Sequence, residues 1–105
     1  MDIAELSARM DEFVRDRGWY DEASPKPQEP KNLAISLSLE ASELLECFQW
    51  SKGGDVDAVS DELADVILYA VPLANVLQID LGEALLSELQ RNSLRTWDSP
   101  VGGTV

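Results

Sequence analysis

Residues 39–50 read LEASELLECFQW and residues 61–70 read DELADVILYA. Each stretch sets a pair of carboxylates three residues apart within an apolar helical pattern: Glu40 and Glu43 in the first, Glu62 and Asp65 in the second. Counting by three and four from Leu33 gives Leu37, Glu40, Leu44 and Cys47, so Glu40 falls inside an apolar stripe with Glu43 beside it on the same face. The second stretch has its stripe at Val59, Leu63, Val66, Ala70 and Leu73, with Glu62 and Asp65 directly against it. A scattered Glu on a helix is ordinarily solvated. Two such pairs on successive apolar helices, joined by a short turn and therefore antiparallel neighbours, call for another reading.

Like charges drawn together away from water repel one another and lose hydration, so something must offset them. Basic side chains cannot: the second of these helices has no Lys or Arg, and the first has only Lys31 at its start and Lys52 past its end. A divalent cation is the simplest compensation. Oxygen-only donors suit magnesium, with manganese or calcium as alternatives, and magnesium commonly shares its shell with substrate phosphates. The chain has no histidine. That removes the Glu-x-x-His pairs of di-iron and di-manganese bundles, and it removes imidazole-ligated zinc.

Outward from this centre the pattern predicts an all-α, four-helix bundle-type protomer. Ile3, Leu6, Met10, Phe13 and Val14 mark one face of a first helix over 2–17, ended by Gly18. Residues 18–30, with Pro25, Pro27 and Pro30, form a loop that is long for so small a domain and reads as a partly ordered lid. A second helix, apolar on most sides and so expected to be buried, opens with Pro30 in its first turn and runs to about residue 51. Asp55 or Asp57 caps a third, running to about residue 78, in which Pro72 predicts a kink. Asp80 caps a fourth, ending near Trp97, and 98–105 is an irregular tail.

Composition sets the outer limits. A chain of 105 residues has room for one domain, residues 1–105, and a helical protomer of this size is expected to complete its core by oligomerisation, as a homodimer or homotetramer. The formal net charge of -12 repels nucleic-acid polymers and anionic membranes, yet leaves room for a small anionic substrate carried with a cation. Cys47, the lone cysteine, forms no intrachain disulfide and reads as a buried, inert thiol. The opening MDIAELSARM lacks the apolar run of a secretory signal, and residues 66–77 are too few to span a bilayer. No membrane partner and a cytoplasmic location are the expectation.

With the acidic pairs, the stretch PKNLAISL at 30–37 and QRNSLR at 90–95, the sequence resembles the MazG-like group of all-α NTP pyrophosphohydrolases. The Phe48-Gln49-Trp50 run and the Gly18-Trp19 pair are most similar to its dCTP pyrophosphatase branch. The resemblance implies magnesium-dependent hydrolysis of a (d)NTP between its α and β phosphates, with Glu40, Glu43, Glu62 and Asp65 as catalytic metal ligands. It also implies Trp19 and Trp50 as base-stacking residues, and Lys31, Tyr69, Asn92 and Arg95 as contacts to phosphate or sugar. Departures from the pattern are Leu39 where the wider family has a first Glu, no histidine near Gln28, and Thr96-Trp97 after the Arg. The competing class is a non-catalytic helical interaction module, or adaptor dimer, that keeps the bundle.

Overall fold

The structure, a computed structural model, describes residues 1–94. Arg95, Trp97 and the tail at 98–105 lie outside the described residues. Among these residues the chain is all-helical: α1 (Ile3–Asp16), α2 (Pro30–Glu46), α3 (Val56–Val76) and α4 (Leu81–Ser93). Three helices begin on an aspartate whose carboxylate accepts backbone N–H groups of the first turn. Asp2 takes that of Glu5, Asp55 those of Asp57 and Ala58, and Asp80 that of Glu83. α2 instead begins with Pro30, whose missing donor costs nothing in a first turn.

The ends of α1 and α3 share one device. Gly18 adopts φ +70°, and the Trp19 N–H reaches the Val14 carbonyl at 3.2 Å while the Gly18 N–H reaches that of Arg15 at 3.0 Å. This reversal folds Trp19 back over α1. At the end of α3, Gln78 takes the equivalent left-handed place at φ 56°, and Ile79 N–H closes on the Ala74 carbonyl at 2.8 Å. α3 continues through Pro72, where the sequence predicts a kink, as far as Val76.

α2 is shorter than its apolar pattern suggests. It stops at Glu46, and residues 47–50 form tight turns in which Phe48 N–H bonds the Leu45 carbonyl at 3.0 Å and Gln49 N–H bonds that of Glu46 at 3.1 Å. After these turns Gly54, at φ +67°, lies so close to the Phe48 ring that an added Cβ would stand 2.9 Å from Cε1.

α3 packs chiefly on α2 and secondarily on α1, and α4 touches α1. The buried set is small: Val14, Leu33, Val71, Pro72 and Ala74. The expectation of a buried α2 therefore fails within one protomer, since only Leu33 is buried on it while Ile35, Leu39 and Leu45 are exposed. A single neighbouring helix covers one side of α2 and leaves the opposite side open. Val56, Leu63 and Ile67 form a similar uncovered stripe on α3. No single helix among the described residues is long and apolar enough to cross a membrane.

Candidate active site

The α2–α3 pair brings Glu40, Glu62 and Asp65 together. Each offers one carboxylate oxygen, and the three atoms lie within 4.8 Å of one another. All three side chains are half-buried. Glu40 Oε2 and Glu62 Oε2 are fully shielded and have no hydrogen-bond partner among the described residues. The ion pairs among these residues, Arg9–Glu5, Arg15–Asp11 and Arg91–Glu88, are all exposed pairs within one helix, so none relieves the cluster.

Glu43 is exposed and stands outside the three-oxygen group, yet its charge is felt there. Burial first, then Glu43 and Asp65, push the Glu40 carboxyl up to about 7. Burial and the Glu43 charge raise Glu62 as well. Shielded carboxylate oxygens with unfilled lone pairs and no nearby cation are a donor set for a hard divalent ion. The residues fit magnesium on that ground.

Cys47 is half-buried rather than buried, and its thiol donates to the Glu43 carbonyl at 3.6 Å. Burial, reinforced by the Glu62 charge, pushes its pKa up, so it is a poor nucleophile.

A cavity of about 360 Å³ opens beside the cluster and includes Glu40 and Asp65 in its lining. Val14, Leu33, Leu68 and Pro72 supply apolar wall, and Trp19 and Tyr69 supply aromatic surface. Trp19 is fixed by the Gly18 reversal and by the Phe13 ring, which meets it edge-on at 5.6 Å. Its neighbour Tyr20 donates its hydroxyl to Asp11, which also accepts from Arg15. Burial and that hydrogen bond push the Tyr20 phenol up to about 12, and the same bond holds Asp11 below the ordinary range.

Of the remaining residues expected at a substrate, Lys31 and Trp50 are exposed and do not line this cavity; neither does Asn92 on α4. Trp50 is 89% exposed. In their place the cavity includes Gln28, at the loop position where the similar branch carries a histidine, and Lys26, Asn32 and Ser36, which the helical pattern does not single out. The available signal was Lys26 as the one basic residue in a proline-bounded loop, but a loop has no periodicity to show which side chains turn inward.

The pattern of the MazG-like family matches residues 35–98, a stretch that holds all four carboxylates. The human dCTP pyrophosphatase 1 (Homo sapiens) is 35% identical over 104 residues, covering 90% of this chain and 56% of the relative. The rat protein of the same name (Rattus norvegicus) is 33% identical with the same coverage. The chain thus spans little more than half the length of these relatives. A solved structure of a pyrophosphatase from Archaeoglobus fulgidus DSM 4304 superposes with a TM-score of 0.68 at 36% identity, covering 86% of this chain and 87% of the other. On the match to its acidic helix pair, the chain belongs to the MazG-like family.

Proposed function

We propose that the protein is a magnesium-dependent nucleoside triphosphate pyrophosphohydrolase, converting a (d)NTP and water to the (d)NMP and diphosphate. The substrate is dCTP or a related canonical or modified deoxynucleotide, and the role is control of the nucleotide pool. The observation that carries this reading is the pair of shielded, unpartnered oxygens on Glu40 and Glu62 beside a cavity with tryptophan and tyrosine in its lining. The relatives named as dCTP pyrophosphatases support the choice of base.

Glu40, Glu62 and Asp65 hold the metal, with Glu43 as a further carboxylate from the adjacent turn. When bound, magnesium neutralises the triphosphate and polarises its phosphoryl oxygens. Trp19 offers a flat apolar face to the base, and Tyr69 lies one turn past Asp65, where its hydroxyl serves phosphate or sugar. Leu39 has no proton acceptor, so another residue, or the metal itself, would activate the attacking water.

A homo-oligomer follows from the uncovered stripes. Ile35 and Leu39 on α2, with Val56, Leu63 and Ile67 on α3, are exposed apolar side chains at helical spacing, and a second copy of the chain covers them. Trp50, away from the cavity of its own protomer, contacts a nucleotide only across such an interface, and Lys31, Asn92 and Arg95 keep their proposed contacts on the resemblance alone.

Melting the purified protein with magnesium and each of four α,β-imido deoxynucleoside triphosphates tests the reading. The expected result is a raised melting temperature with at least one analogue and magnesium together, beyond either alone. A flat response across the panel would favour the non-catalytic interaction module.

A further inference from the structure

Among the described residues, Lys26 is the one cation in the cavity lining. Its ammonium stands 5.0 Å from the centroid of the Trp19 ring, which the Arg17 guanidinium, outside the cavity lining, also approaches at 5.8 Å. It makes no ion pair with Glu40 or Asp65, for the ion pairs of the described residues all lie elsewhere. The ammonium is therefore held by the indole rather than by the carboxylate cluster.

The loop presents this side chain by construction. Lys26 lies between Pro25 and Pro27, which fix their own dihedrals and, through Pro27, confine Lys26 to extended backbone. The Lys26 N–H donates to Ser24 Oγ at 3.0 Å, and Gln28 Nε2 donates to the Lys26 carbonyl at 3.0 Å. Both backbone groups of Lys26 are thus occupied by its loop neighbours. That leaves the ammonium as its one group available to a ligand.

We propose that Lys26 is a specificity-determining residue, whose ammonium donates a hydrogen bond to a carbonyl oxygen on the edge of a base stacked on Trp19. This inference rests on the nucleotide reading above. A base that stacks on the indole takes the place the ammonium now holds. The displaced ammonium loses its aromatic partner and needs an acceptor at the rim of the base. Cytosine, thymine and guanine carry a carbonyl oxygen there; adenine carries none, and its ring nitrogens are weaker partners for a cation. The metal-binding oxygens of the triphosphate belong at the carboxylate cluster, with which Lys26 makes no ion pair.

Calorimetric binding of the α,β-imido analogues of dCTP, dTTP, dGTP and dATP with magnesium, and of pyrophosphate with magnesium, tests the proposal on the whole chain. Lys26→Met should weaken the three carbonyl-bearing analogues by about tenfold, as loss of a hydrogen bond to substrate does, and dATP by less than about twofold. Lys26→Arg, which keeps the donor, should retain most of the discrimination, and pyrophosphate affinity should not change in either variant. Equal weakening of all four analogues together with pyrophosphate would make Lys26 a phosphate ligand and overturn the proposal. Unchanged binding in Lys26→Met would overturn it too. If the unaltered protein binds none of the analogues, the nucleotide reading itself falls and takes this inference with it; analogue binding by the unaltered protein without a selective loss in Lys26→Met marks the narrower failure.

Discussion

Raising the pH from 6 to 8 should tighten magnesium binding to the protein by about tenfold, and one group accounts for the change. Glu40 sits at about 7 in the metal-free protein because burial and its acidic neighbours disfavour the anion. A cation requires that anion. At pH 6 the carboxyl is about nine-tenths protonated and at pH 8 about one-tenth, so the apparent association constant rises by a factor of about ten; an ordinary glutamate would contribute almost nothing over this range. Burial and the Glu43 charge also raise Glu62. Isothermal titration with magnesium at both pH values, in two buffers of different ionisation enthalpy, reads the affinity and the protons released. Glu40→Gln should bind more weakly and lose most of the pH dependence. Equal affinity at pH 6 and 8, with no proton release near neutrality, would refute the argument that these carboxylates hold the metal.

The same shift has a consequence without metal. A carboxyl raised in the folded state favours folding below its unfolded value near 4.5, and this contribution is lost as pH rises through about 7. Metal-free protein should therefore melt lower at pH 8 than at pH 5.5, and saturating magnesium should reduce or reverse that order. Tyr20→Phe deletes the hydrogen bond to Asp11 that ties the start of the loop to α1, and should cost about 1 kcal/mol in urea unfolding. Gly18→Ala forces a Cβ into left-handed backbone, so a loss of about 1 kcal/mol is expected, with nucleotide affinity falling too because the reversal carries Trp19. Leu63→Glu, at a side chain 51% exposed in the protomer, should shift the protein to monomer in light scattering while sparing the helical circular dichroism of the chain. An unchanged mass would show that α3 does not supply the contact.

The carboxylate cluster was legible because its signal is a conflict. Glu40 breaks an apolar stripe, and Glu62 and Asp65 press against another, and the α2–α3 packing places just these three together. The aspartate caps at positions 55 and 80 were legible for the same local reason, a side-chain acceptor placed immediately before a helical pattern. Glu43 was harder to place, since a spacing of three admits both the inner face and its exposed margin. The end of α2 was not legible: Phe48 and Trp50 continue its apolar pattern past Glu46, while in the structure Phe48 packs close to Gly54 across the turn. Nor does periodicity say what covers an apolar face. Leu33 and Leu39 look equally buried in the sequence, yet one is buried while the other stays open in the protomer. Lys26 was not legible because its place in the cavity depends on hydrogen bonds within the loop, which leave no repeat in the sequence, whereas Gln28 stood out only through the family resemblance.

Diphosphate release is the most direct test of the central claim. The purified protein is incubated with magnesium and each deoxynucleoside triphosphate in turn, beside a Glu40→Ala/Glu62→Ala double variant, and diphosphate and monophosphate are quantified. The account predicts equimolar diphosphate and monophosphate from at least one nucleotide, dCTP or a relative, dependent on magnesium and abolished in the double variant. No release from any nucleotide, or equal release by the double variant, would contradict it.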